Sequence, residues 1–318
     1  MVEETKTIMS RDMTYSLDTI RQRVRDGLLE AVTHVEVALV DALERALATE
    51  RHESLALSST SGTLGRQERD RLDTSIQALE MILENIKISH ATSLPLCQDT
   101  GMVVGWIAVG PECQLSMHAI ESAVNAGISE AVLLGYFRNS IVDDPLFDRI
   151  NTNTNLPAVL HWTASPTGDL SIALMLKGFG SENCGGIAML APTAGEDGVV
   201  GAIASIVRKA GGKPCPPIIL GIGLGGTMEQ AAWLSKKALY RPVGQPHPQA
   251  PYAQLEHKIL SRVQEERIGA GGFGGTVTAL AVAVEHFPTH IAGLPVAVSI
   301  SCWADRKALL QFGGACAV

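Results

Sequence analysis

Apolar side chains open the chain with a helical rhythm. Leu17, Ile20, Val24, Leu28, Val32, Val35, Leu39, Leu43 and Leu47 recur in steps of three and four. One stripe at that period predicts a single long helix over 16–50. A Ser/Thr/Gly break at Ser58 to Gly62 follows. Leu72, Ile76, Leu79, Leu83 and Ile86 then predict a second helix. Residues 1–90 therefore read as mainly helical, and 91–318 as a mixed α/β region.

Beyond residue 90 the pattern changes. Met102 to Val109 is a short apolar run, read as a strand. His118 to Leu134 returns to helical spacing. Ala158 to Trp162 and Leu170 to Leu176 read as paired strands joined by a turn at 166–169. Gly198 to Ala210, Thr227 to Leu239 and Tyr252 to Arg267 read as helices, the second ended by Arg241-Pro242. Ile218 to Ile222, Thr276 to Val284 and Val296 to Ile300 are apolar runs of strand length. The expected fold is α+β in a single domain over 1–318, with an N-terminal helical region packed on a mixed sheet. No internal repeat is visible.

Composition narrows the classes of function. The net charge of −8 offers no basic field for a phosphate backbone, so nucleic acid is not expected as a partner. Residues 1–30 are rich in charge and contain no apolar stretch of the secretory kind, and no run of about 18 apolar residues suggests a membrane span. A cytoplasmic protein is expected. In that setting the six Cys, at 97, 113, 184, 215, 302 and 316, make a poor disulfide framework. Core thiols, metal ligands and catalytic thiols remain open, and a small buried hydrophobe is the ordinary role of a Cys.

Three Gly-rich junctions, at Gly178 to Gly186, Gly221 to Gly226 and Gly269 to Gly275, suit either a site lined by main chain or tight turns between packed elements. Gly221-Ile-Gly-Leu-Gly-Gly226 has the spacing of a dinucleotide fingerprint and raises the alternative of a nicotinamide-dependent dehydrogenase. No acidic residue stands about 20 positions later to take a ribose, so a close helix–strand packing turn is the better reading. Glu285-His-Phe-Pro-Thr-His290 has two His four apart, but Pro288 would break a zinc-binding helix between them. Cys97, Cys215 and Cys302 are far apart, and Cys97 and Cys215 are flanked by Pro or Gly, as loop-borne ligands would be.

Several segments together resemble a known family. They are Pro95-Leu-Cys-Gln-Asp-Thr-Gly101, Gly180-Ser-Glu-Asn183, Pro214-Cys-Pro-Pro217, Gly221 to Thr227, Lys236-Lys-Ala-Leu239 with Arg241-Pro242, and Leu294-Pro-Val-Ala-Val298 with Cys302. In this order they are similar to the α subunit of class I fumarases and L-tartrate dehydratases. The resemblance implies a [4Fe–4S] cluster held by Cys97, Cys215 and Cys302, with one iron lacking a protein ligand. It implies that Gln98 and Asp99 act near the substrate hydroxyl, with Asp99 an acid/base. Arg138 would bind a carboxylate, Gly180 would offer a backbone N–H, and His290 would bind a carboxylate or tune proton transfer. Cys113, Cys184 and Cys316 are then spare. It further implies a separate β subunit carrying the C3 base, an α2β2 or similar hetero-oligomer, and a small dicarboxylate substrate: fumarate/malate, tartrate or mesaconate/citramalate. A non-catalytic iron–sulfur scaffold or redox sensor would use the same three Cys.

Overall fold

In the computed structural model, residues 15–57, 63–168 and 170–313 are described. The Ser58 to Gly62 break, the end of the 166–169 turn and Cys316 lie outside them. The elements run α1 (Leu17–Thr33), α2 (Val37–Leu57), α3 (Thr63–Thr92), β1 (Met102–Val109), α4 (Met117–Leu134), β2 (Val159–Ala164), β3 (Leu170–Lys177) and the single turn α5 (Phe179–Glu182). They continue with β4 (Gly186–Leu190), α6 (Gly195–Ala210), β5 (Ile218–Gly225), α7 (Met228–Ala238), α8 (Ala250–Gln264), β6 (Ala279–Phe287), β7 (Leu294–Ser301) and β8 (Arg306–Phe312). Two mixed sheets with helices against them make an α+β fold. No helix among the described residues is long and apolar enough to cross a membrane.

The expected helix over 16–50 is interrupted. At Thr33 the side-chain hydroxyl turns back onto the carbonyls of Leu29 and Glu30, both at 3.1 Å, and His34 becomes extended at φ −127°, ψ 147°. No Gly or Pro marks the spot, and the apolar stripe continues across it. The break also separates two compact units. One comprises 15–34, 92–177 and 306–313; the other comprises 35–91 and 178–305.

The first unit has a sheet in the order β2-β1-β3-β8. The expected pairing of β2 with β3 does not form. β1 lies between them, parallel to β2 and antiparallel to β3. Both strands have correct lengths, but the partner comes from 50 residues or so earlier, beyond what a local turn signal can report. α1 and α4 pack together beside this sheet. Gly127 permits their close approach, since a Cβ there would lie 2.4 Å from the Arg21 carbonyl. Ile20, Val24, Leu28, Ile120, Val124 and Ile128 fill the core with Ile107, Ile172 and Leu174 of the strands.

The second unit has the sheet β4-β7-β5-β6. β5 is buried at every position, and its alternation explains the glycine run. Ile218, Leu220, Ile222 and Leu224 join the core formed with α6 and α8. Gly221 and Gly223 face α7. A Cβ on them would fall 2.1 Å from the Ser235 carbonyl and 2.0 Å from the Ala231 carbonyl. The run is thus a packing surface for α7, as the sequence reading preferred over a nucleotide turn. Gly223→Ala should cost about 3 kcal/mol, the upper end for overpacking against a backbone that cannot move aside; urea denaturation of the variant checks this.

Glu285 and His286 lie in β6 and not on a helix, which closes the zinc reading. Glu285 accepts from Arg241 at 2.8 Å, and His286 stacks on Tyr252 with ring centroids 4.1 Å apart. Arg241 also donates to Glu256 and to the Val284 carbonyl. The Arg241-Pro242 motif therefore ties α7, α8 and β6 together.

Candidate functional site

In the first unit the segment after α3 carries Cys97, Gln98, Asp99 and Thr100. Leu96, buried, fixes its start by donating its N–H to the Val32 carbonyl at 2.9 Å. Cys97 and Asp99 are half-buried and Gln98 is exposed. Arg306, 1% exposed, donates from Nη1 to the Asp99 main-chain carbonyl at 2.8 Å and so holds the loop from the interior.

Arg138 comes to the same loop. Its N–H donates to the buried Thr100 hydroxyl at 3.0 Å. Asn155, 1% exposed, clasps the segment from the other side. Its Nδ2 donates to the Arg138 carbonyl and its Oδ1 accepts from the Ser140 N–H, both at 2.8 Å. Phe137 is buried and anchors the turn, and the Arg138 side chain is exposed. The expected Cys97-Gln98-Asp99 segment and the backbone of Arg138 thus meet at Thr100. Thr100, Asn155 and Arg306 were not foreseen. Thr100 stood inside the quoted motif. Asn155 sits in a polar run and adopts φ 53°, a left-handed conformation that Asn tolerates better than most residues; nothing in the spacing singled it out.

In the second unit the β5–β7 register decides the layout. Ile219 pairs with Ser301, so the start of β5, just after Cys215, lies beside the end of β7, just before Cys302. Gly180 joins this end: a Cβ on it would meet only the Lys213 carbonyl, at 3.8 Å. Lys236 donates to Glu182, which ties the Lys236-Lys segment to the Gly180-Ser-Glu-Asn segment. Cys184 donates from Sγ to the Gly180 carbonyl at 3.2 Å and packs against the core formed with α6 and α8, in keeping with its reading as a small hydrophobe.

His290 does not join Cys215 and Cys302. β6 runs parallel to β5, with Gly225 opposite Phe287, so the loop after β6 emerges at the other end of the sheet. Eight residues of strand put it roughly 25 Å from the Cys215 end. It is exposed there, its Nδ1 accepting from the Ala292 N–H at 3.1 Å. Within one chain it shares no site with those two thiols. The sequence could not report this, because the direction of β6 relative to β5 is a property of the sheet.

None of the five described Cys is in a disulfide. Among the described residues no three His, Cys, Asp or Glu side chains stand together as a ready-made metal site. The donor chemistry nevertheless suits an iron–sulfur cluster: loop-borne thiols that can ionise, two of them at one sheet end.

Comparison with known proteins gives the family. The fumarate hydratase (fumerase) family matches residues 22–311. A protein of Methanocaldococcus jannaschii named "Putative L(+)-tartrate dehydratase subunit alpha" is 37% identical over 247 residues, covering 76% of this chain and 86% of the relative. The L(+)-tartrate dehydratase subunit alpha of Escherichia coli K12 is 29% identical over 233 residues, covering 72% and 76%. The chain therefore belongs to the fumarate hydratase (fumerase) family and is a hydro-lyase α subunit.

Proposed function

We propose that this chain is the cluster-carrying subunit of an iron–sulfur hydro-lyase that adds water to, or removes it from, a small dicarboxylate. It works as one functional domain with a separate β subunit, in an α2β2 or similar assembly. Cys97, Cys215 and Cys302 hold a [4Fe–4S] cluster. Such a cluster, bound by three thiolates, supplies a Lewis acid at its remaining iron.

The chain's own groups do the rest. Arg138 presents a planar fork to one substrate carboxylate. The Gly180 N–H, in the first turn of α5, is a donor for a substrate oxygen. Gln98 holds the substrate hydroxyl, and Asp99 gives a proton to the departing oxygen or takes one in the reverse direction. The C3 base comes from the β subunit, and the proposal gives His290 no role. The observation that supports this reading most is the Thr100 hydrogen bond. It joins the Arg138 backbone to the loop 97–100, whose thiol and carboxylate this reading takes as cluster ligand and acid/base.

Fumarate/malate, tartrate and mesaconate/citramalate differ by one methyl or hydroxyl, and all present the two carboxylates this arrangement requires. The test is an anaerobic hydratase assay of the reconstituted chain with and without its β partner. The chain alone should turn over at least about a hundredfold more slowly, the contribution of a missing general base. Near-full activity from the chain alone would contradict the division of labour.

A further inference from the structure

Cys215 occupies an unfavourable backbone conformation. Its φ is 54°, in the left-handed region, where a side-chain-bearing residue persists only if its surroundings hold it. The surroundings here are the glycine-rich turn 269–275. The Gly271 N–H donates to the Pro216 carbonyl at 2.8 Å, next to Cys215. Gly272 lies against Gly212, so closely that a Cβ on Gly272 would be 2.6 Å from the Gly212 Cα.

The turn itself is intrinsically loose. Gly269, Gly271, Gly272, Gly274 and Gly275 all have positive φ, and glycine gives up the most conformational freedom on folding. Its fixings come from α2 and α3. Glu50 is completely buried, and its Oε1 accepts from the Val277 N–H at 2.8 Å. Ser75, also completely buried, accepts from the Ala270 N–H at 3.1 Å. Gly275 closes on both: a Cβ there would be 2.6 Å from Glu50 Oε1 and 2.8 Å from the Ser75 hydroxyl. Burial raises the Glu50 carboxyl above the usual range, opposed by the Val277 and Thr276 amides. A buried carboxyl costs stability unless it is hydrogen-bonded, and here Oε1 takes the Val277 N–H just past the turn.

We propose that Glu50 is a positioning residue for Cys215: it pins the turn 269–275, and that turn holds the Cys215 loop in its left-handed conformation. The consequence for catalysis rests on Cys215 being a cluster ligand, but the positioning itself does not. The experiment therefore uses the full chain, reduced and free of iron. Iodoacetamide labelling of Cys215 and Cys302 is timed by mass spectrometry in the same sample. Cys215 is already exposed, so the readout is its loop conformation: Glu50→Ala should change the labelling rate of Cys215 several-fold and leave Cys302 unchanged. Glu50→Gln, which keeps an acceptor for the Val277 N–H, should stay close to the original rate. Ser75→Ala should shift Cys215 in the same direction by less, and decides the matter if Glu50→Ala does not fold. An unchanged Cys215 rate, or Cys215 and Cys302 changing together, overturns the proposal. A chain that behaves as expected here yet takes up no iron would sink the cluster reading and leave the positioning intact.

Discussion

Cys97→Ser is expected to give a folded chain that loses its cluster and all measurable hydratase activity. The serine hydroxyl is far less acidic than a thiol and a much poorer ligand for iron. The fold should survive because Cys97 is only half-buried, while the loop is held by Leu96, Thr100 and Arg306, which the substitution leaves in place. Unchanged far-UV circular dichroism with absent visible absorbance is the expected pair of readings. A variant that stays coloured and active would remove Cys97 from the ligand set. The same substitution leaves a nicotinamide-dependent enzyme untouched, and that reading has already lost its glycine run to α7.

Asp99→Asn is expected to separate holding the cluster from using it. Arg306 donates to the Asp99 main-chain carbonyl, a hydrogen bond that the substitution leaves in place, so the loop should keep its shape. Iron content should match the original chain. The rate with the β partner should fall by about 100- to 10,000-fold, the range for loss of a positioned proton donor or acceptor. The fall should appear mainly in kcat, because asparagine keeps the size and hydrogen-bonding reach of the side chain. An iron–sulfur scaffold or redox sensor would tolerate this substitution. Full activity in Asp99→Asn would therefore count against Asp99 as the acid/base.

How much of this was legible in the sequence follows from the range of each interaction. Strand β1 and helix α4 were read almost to the residue, because period and capping are local. The break after Thr33 was missed because the apolar stripe runs straight across it and no Gly or Pro marks it. The pairing of β2 with β3 was misjudged because β1 inserts between them. In the candidate site the chemistry-bearing residues were visible as motifs. Their supports were not: Asn155, Arg306, Glu50 and Ser75 are common residue types whose roles exist only once distant segments meet. His290 shows the opposite case, a motif residue that the direction of one strand carries away from Cys215 and Cys302.

The most direct measurement is iron and acid-labile sulfide per chain after anaerobic reconstitution, for the original sequence and for Cys215→Ser and Cys302→Ser. The account predicts about four of each in the original chain, and loss of the assembled cluster in both variants with the fold retained. A folded chain that takes up no iron, or one whose cluster survives both substitutions, would contradict it.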